Sequence, residues 1–149
     1  MPKHRISCRV DASPDTVWAV LLDKMEHPQR YLEDALDAEI LVRGRESVIR
    51  QLVLPRGVSF RERISPDAGA RTITFTLLDH PVYEGTVVNR LVETPEGVEL
   101  AFELDWKPRP GCEEEEDPEE PRGLIDSSLT HTKRIAEALE MGILGALET

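Results

Sequence analysis

Residues 10–18 read Val10-Asp11-Ala12-Ser13-Pro14-Asp15-Thr16-Val17-Trp18, and this stretch marks the passage from a first strand to a first helix. The Ser13 hydroxyl can accept a hydrogen bond from a free backbone N–H of the first helical turn, and Pro14 suits the first helical position because it needs no N–H there. Upstream, residues 4–10 alternate apolar and polar side chains, which predicts a strand. Downstream, the apolar residues recur at helical spacing, at Val17, Trp18, Leu21, Leu22 and Met25.

A series of strands is predicted after this helix and after a second short helix over residues 29–33. The segment 71–78 shows the clearest alternation, because its apolar residues occupy one face and its threonines the other. Short turns rich in Pro and Gly separate the segments. The predicted strands cover residues 38–42, 47–54, 58–64, 71–78, 83–92 and 98–106. Neighbouring strands with short turns indicate an antiparallel sheet with one solvent-exposed face.

A long amphipathic helix is predicted from Arg122 to the end of the chain. Its apolar stripe consists of Leu124, Ile125, Leu129, Ile135, Ala136, Leu139, Ile143 and Leu147. The preceding residues 108–121 are rich in Pro, Gly and acids, so we expect a mobile acidic surface loop there. With 149 residues in all, the chain is expected to form one domain over 1–149.

The acidic balance of the chain restricts its partners and its location. The net charge is −11, and seven of the acids lie within residues 113–120. Nucleic acids and anionic membranes repel such a charge, so neither is expected as a partner. The sequence shows no signal peptide and no apolar run of transmembrane length, which predicts no membrane insertion. Cys8 and Cys112 suggest no disulfide framework, and these features together favour the cytoplasm.

Two segments carry a resemblance to a known family. Residues 10–18 are similar to the motif with which domains of the helix-grip superfamily enter their first helix; this superfamily includes START lipid-transfer domains, polyketide cyclases and pollen allergens. The segment Leu22-Asp23-Lys24-Met25-Glu26-His27-Pro28-Gln29-Arg30-Tyr31-Leu32 resembles the AtaL-like branch. The resemblance implies an α+β helix-grip fold, in which a curved antiparallel sheet of about seven strands wraps around the C-terminal helix. It also implies an apolar cavity between sheet and helix, and it brings no catalytic residues.

A charge pair is predicted to face this cavity. Arg50 shares a strand face with Val48 and Leu52, and Glu62 shares one with Phe60 and Ile64. If residues 55–57 form the hairpin loop, Arg50 lies directly opposite Glu62, within reach across an antiparallel ladder. Burying two charges costs desolvation, so such a pair often serves a purpose. We interpret it either as a polar anchor for a ligand or as a structural ion pair at the cavity rim.

Four other polar residues are candidates for the same cavity. Asn89 is predicted opposite Phe102, where it either orients a ligand or hydrogen-bonds to backbone. Ser128 and Thr132 fall inside the apolar stripe of the last helix, and each either contacts a ligand or bonds back to the carbonyl one turn earlier. His131 lies at the edge of that stripe, as a possible acid/base or an ordinary surface histidine.

The remaining ligand-binding candidates are apolar. We expect the cavity walls to consist of Phe60, Phe75, Leu77, Phe102, Leu104 and Ile135. No zinc-binding spacing and no Gly-rich phosphate loop occurs in the sequence, so neither a metal nor a cofactor is expected. The oligomeric state is not predicted.

Three functions remain open at this point. We favour a binder of a small apolar, lipid-like or polyketide-like molecule, because no set of nucleophile, base and orienting group is apparent. The second is an enzyme of the cyclase or dehydratase kind, with Glu62 or His131 moving a proton. The third is a protein-interaction or chaperone-accessory module. The fold alone does not decide among them.

Overall fold

The computed structural model describes residues 4–32, 36–112 and 119–142. Its centre is a seven-stranded antiparallel sheet with the strand order β1-β7-β6-β5-β4-β3-β2. The strands are β1 (His4–Val10), β2 (Asp37–Arg43), β3 (Val48–Val53), β4 (Ser59–Asp67), β5 (Thr72–Leu77), β6 (Tyr83–Thr94) and β7 (Gly97–Pro108). The helices are α1 (Pro14–Glu26) and α2 (Glu119–Glu140), with 3-10 helices at Pro28–Arg30 and Pro55–Gly57. The predicted α+β helix-grip architecture is therefore confirmed.

The first helix begins as predicted. Ser13 is the N-cap of α1, and its hydroxyl accepts a hydrogen bond from the backbone N–H of Thr16 at 3.2 Å. Near the C-terminal end of α2, Glu137 accepts a hydrogen bond from the backbone N–H of Asp11 at 2.9 Å, and Glu140 accepts one from the backbone N–H of Ser13. The loop between β1 and α1 is thus held by carboxylates of the last helix.

Strand β4 is longer than predicted. The predicted strand ends at residue 64, whereas β4 runs to Asp67. The pairing of β4 with β3 stops at Ile64, opposite Val48, and beyond it β4 pairs only with β5 among the described strands. Pro66 is tolerated because it lies beyond the end of the ladder with β3, so its missing N–H interrupts no bond on that side.

The helices also differ in detail from the prediction. The second short helix is one 3-10 turn over Pro28–Arg30, because the backbone N–H of Tyr31 bonds to the Pro28 carbonyl, three residues earlier. The last helix starts at Glu119, inside the predicted acidic loop, and a turn follows at Met141-Gly142. Gly142 has a φ of 76°, a left-handed conformation common at helix C-termini. Residues 113–118 of the loop, together with Glu33, Ile143 and Leu147, lie outside the described residues.

The core lies between the curved sheet and the two helices. Helix α2 packs against α1, β1 and β7. The fully buried side chains include Val17, Val20 and Leu21 of α1 and Leu100 and Phe102 of β7. No helix in the described part of the chain is long and apolar enough to cross a membrane.

Candidate functional site

A cavity of about 70 Å³ lies between the concave face of the sheet and α2. Its walls are mostly apolar, with three ionisable side chains among them. The lining consists of Lys24, Leu32, Arg50, Leu52, Leu54, Phe60, Glu62, Phe75, Val87, Phe102, Trp106, Leu124, Ile125 and Ser128. Typical ligand pockets measure about 300–1,000 Å³, so only a small molecule fits without movement of the lining side chains.

A larger groove, of about 930 Å³, lies at the turns that follow β2 and β4. Apart from Val48, its lining is exposed or half-buried. No group of three or more His, Cys, Asp or Glu side chains in the described ranges is arranged to hold a metal. The smaller cavity is the better candidate, because buried charged groups converge there.

Six of the predicted site residues line this cavity, namely Arg50, Phe60, Glu62, Phe75, Phe102 and Ser128. The structure places the other apolar candidates in the surrounding core. Leu77 packs with Leu52, Leu54 and Phe60, while Leu104 and Ile135 belong to the main core cluster. None of these three side chains lines the cavity.

The other polar candidates are also directed elsewhere. Thr132 donates its hydroxyl hydrogen bond to the Ser128 carbonyl at 2.6 Å, the local alternative considered for it. The Nδ1 atom of His131 lies 2.7 Å from the Ser127 carbonyl oxygen, and His131 does not line the cavity. Asn89 is fully buried opposite Phe102, as predicted, but its amide reaches the site only through Lys24.

Arg50 and Glu62 form the predicted pair across β3 and β4. Their side chains are only 4% and 7% exposed, and both Nε and a terminal nitrogen of Arg50 donate to Oε1 of Glu62, the Nε bond at 2.9 Å. The other terminal nitrogen of Arg50 donates to the carbonyls of Lys24 and Met25, each at 3.2 Å. Arg50 therefore also provides hydrogen bonds to carbonyl oxygens in the last turn of α1, where a positive charge is favoured by the helix dipole. No hydrogen bond from a described residue reaches Oε2 of Glu62.

Lys24 is the functional candidate that the sequence analysis missed. It is 6% exposed, and its Nζ donates to Oδ1 of Asn89 at 2.8 Å. The same nitrogen lies 4.0 Å from the ring centroid of Phe102 and 5.4 Å from that of Phe75. Burial, and then the charge of Arg50, hold the pKa of Lys24 well below its usual range, with Glu62 acting in the opposite direction.

A signal for Lys24 does exist in the sequence. Val17, Val20, Leu21 and Lys24 are the buried residues of α1, and they follow the spacing of one helical face. The stripe predicted from apolar residues alone includes Trp18, Leu22 and Met25 and leaves out Lys24. It is therefore displaced around the helix axis by about one residue from the buried face. Those three side chains are half-buried at the edge of the core.

Two buried hydrogen-bond donors of the cavity lining have no partner among the described residues. They are the hydroxyl of Ser128, on α2, and the indole N–H of Trp106, on β7. Buried polar groups in proteins are nearly always hydrogen-bonded, so exceptions require an explanation. Two unsatisfied donors in one apolar cavity match a ligand that carries an acceptor oxygen.

An aromatic cluster closes one part of the cavity wall. The ring of His80 lies 4.9 Å from Phe60, 5.4 Å from Tyr83 and 5.6 Å from Trp106, measured between centroids. The Nδ1 atom of His80 accepts hydrogen bonds from the backbone N–H groups of Val82 and Tyr83, each at 3.1 Å. These contacts fix the ring as a structural support of Trp106.

Comparison with protein families finds one match that spans most of the chain. Residues 8–136 match the family model AtaL, described as acetylaranotin biosynthesis cluster protein L. No curated protein matches the sequence.

Solved structures share the fold at low sequence identity. The ZhuI aromatase/cyclase from Streptomyces sp. R1128 is 19% identical, with a TM-score of 0.73 over 91% of this chain and 92% of its own. The di-domain aromatase/cyclase StfQ of the steffimycin biosynthetic pathway is 15% identical, with a TM-score of 0.71 over 93% of this chain and 46% of its own. TTHA0849 from Thermus thermophilus is 14% identical, with a TM-score of 0.69 over 94% of this chain and 97% of its own. These likenesses establish the fold.

Proposed function

The chain belongs to the AtaL family, and we propose that it binds a small apolar molecule with a carbonyl or hydroxyl oxygen in the cavity between the sheet and α2. The observation that carries this proposal is the pair of unsatisfied donors, Ser128 and Trp106, in an otherwise apolar lining. A ligand oxygen that accepts from either donor would recover a hydrogen bond whose absence costs about 1–3 kcal/mol. The Arg50–Glu62 pair supplies a second polar wall.

Ligand size follows from the cavity volume. At about 70 Å³, the cavity admits a compact molecule directly, and a polyketide-like molecule only after side chains of the lining move. Small oxygenated molecules are therefore the preferred ligand candidates, ahead of larger ones.

The cytoplasm remains the proposed location, since Cys8 and Cys112 are both free thiols.

A cyclase-like enzyme is the second candidate. It is favoured by Oε2 of Glu62, a carboxylate oxygen of the cavity lining that receives no hydrogen bond from the described residues. Such an oxygen can accept a proton from a bound substrate. Two of the structural neighbours are named as aromatase/cyclases. An interaction module remains a prediction with no observation in its favour.

The first experiment is native mass spectrometry of the purified protein, compared with its denatured mass and with an organic extract. A co-purifying apolar molecule that is lost on denaturation supports the binding function and identifies its chemical class. If the mass is that of the bare chain, a thermal-shift screen of small ketones and alcohols follows, with hydrocarbons of the same shape as controls. If neither oxygenated class stabilises the protein more than the hydrocarbons do, the proposal fails.

Turnover separates the binder from the enzyme. A Glu62→Gln variant that remains folded and keeps its ligand but loses turnover of a candidate substrate would favour the cyclase. Equal turnover in both proteins would remove Glu62 from that role.

A further inference from the structure

The cavity contains a primary amine whose presence a simple binding function does not explain. Lys24 is almost fully buried, and its Nζ lies between Asn89 and the faces of Phe102 and Phe75. Burying a lysine costs free energy that an apolar residue at the same place would avoid. The aromatic rings and the Asn89 oxygen hold the nitrogen at one place in the cavity wall.

The surroundings of Lys24 favour the neutral amine over the ammonium ion. In the described residues, the ionisable groups that line the cavity are Lys24, Arg50 and Glu62. Glu62 forms its ion pair with Arg50, and none of the ion pairs between described residues includes Lys24. Burial and the Arg50 charge lower the pKa of Lys24, and the neutral amine is the form that attacks carbonyl carbons.

We propose that Nζ of Lys24 condenses with the carbonyl carbon of a small apolar aldehyde or ketone bound in the cavity, and forms an imine. The inference rests on the proposed binding function and narrows its ligand class to carbonyl compounds. It assigns Lys24 the role of a nucleophile.

The reaction balances without any further reagent. The nitrogen lone pair forms the new N–C bond while the π electrons of the C=O bond move to oxygen, which gives a carbinolamine after proton transfer. The C–O bond then breaks as the C=N bond forms. Both hydrogens of the amine and the carbonyl oxygen leave as one molecule of water.

The other cavity groups suit the remaining steps. The Ser128 hydroxyl and the Trp106 N–H, which no described residue satisfies, are able to stabilise negative charge on the carbonyl oxygen. Oε2 of Glu62 is available to carry a proton between nitrogen and oxygen.

Reductive trapping with butanone tests the inference. The intact protein is incubated with butanone and sodium cyanoborohydride near neutral pH, and the modified residue is identified by peptide mass mapping. Because each unit of pKa lowering gives about tenfold more free amine, we expect Lys24 to be labelled at least about tenfold faster than an ordinary lysine. Lys107, which is exposed, and Lys133, which is paired with Glu137, are the internal references.

Two variants serve as controls. Lys24→Met keeps the length and the apolar stem of the side chain, and should lose the fast label. Lys107→Met should retain it. Labelling of Lys24 no faster than that of Lys107, or fast labelling that persists in Lys24→Met, would overturn the inference.

A second probe separates this inference from the binding function. 2-Butanol has the shape of butanone but cannot form an imine, and its binding is followed by NMR shifts of cavity residues. Binding of 2-butanol without trapping of butanone would refute the imine and leave the binding function intact. Absence of binding by both compounds, together with absence of trapping, would count against both proposals.

Discussion

The Thr132 hydroxyl donates to the Ser128 carbonyl at 2.6 Å, while the Ser128 hydroxyl itself is buried without a partner in the described part of the chain. The two residues lie one turn apart on α2, and both are buried. Only Ser128 of the two lines the cavity. One helix therefore carries two similar hydroxyls, of which one is satisfied locally and the other has no partner among the described residues.

Ser128→Ala should weaken binding of an oxygen-bearing ligand. The loss of one hydrogen bond corresponds to about 1 kcal/mol, or about fivefold in Kd. The unfolding free energy should stay equal or rise, because an unsatisfied polar group is removed. Calorimetric titration and urea unfolding provide the two values. Thr130→Ala, an exposed hydroxyl of the same helix that bonds to the Asp126 carbonyl, is the control for binding. Equal affinity in wild type and Ser128→Ala would remove Ser128 from the site.

Arg50→Ala should be strongly destabilising. It leaves the buried Glu62 carboxylate without its partner, and removing one member of a buried pair costs about 3–5 kcal/mol. The double variant Arg50→Met with Glu62→Leu replaces both charges by apolar side chains and should lose less than Arg50→Ala alone. Urea unfolding of the single and double variants measures this difference. A double variant less stable than Arg50→Ala would contradict the interpretation.

Lys24→Met should change how stability depends on pH. The native pKa of Lys24 is lowered, so between that value and the unfolded value of about 10.4 the unfolded chain binds more protons. The unfolding free energy of the wild type therefore rises with pH in this window, by at most about 1.4 kcal/mol per pH unit from this residue.

The advantage of Lys24→Met over the wild type should accordingly be largest at the low end of the window and shrink as pH rises. Denaturant unfolding at successive pH values tests this. Lys107→Met, at an exposed position, serves as the control and should follow the wild-type slope. Parallel curves for the wild type and Lys24→Met would show that Lys24 keeps its proton in the native state.

Glu137→Gln should weaken the connection between α2 and the start of α1 at neutral pH only. The backbone N–H of Asp11, and then Lys133, hold the pKa of Glu137 below its usual value. The stabilisation is present above the unfolded pKa and is lost as pH falls through the lowered native pKa. Thermal unfolding of both proteins should show a gap in Tm at neutral pH that closes in acid. Glu96→Gln, in an exposed turn, should show no gap.

The strand pattern was predictable because alternation and turn residues agree along most of the sheet. The hairpin loop at residues 55–57 was sufficient to place Arg50 opposite Glu62. The end of β4 was not predictable, because whether Pro66 is tolerated depends on where the neighbouring strand stops. Helix α2 begins earlier than expected for a similar reason, since composition alone suggested a loop.

The site was predictable in its walls and not in its chemistry. A lysine on an apolar helix face is counted as a surface residue by any pattern of hydrophobic spacing, so Lys24 was overlooked. Ser128 and Thr132 are equivalent in the helical pattern, and only the positions of their hydroxyls distinguish them. Asn89 was placed correctly opposite Phe102, but its hydrogen-bond partner, Lys24, lies on α1. An alternating strand pattern gives no information on how a helix packs against the sheet.

The order of strands in the sheet also constrains how the chain folds. Among the described strands, the first, β1, pairs only with the last, β7, with His4 opposite Leu104 and Val10 opposite Val98. Contacts so distant in sequence close large loops, and they slow folding. During synthesis, strands β2 to β6 can pair with one another as they emerge, while β1 must wait for β7. The neighbouring wall of the cavity, which includes Phe102, is therefore completed late, and a newly made chain forms the cavity only near the end of folding.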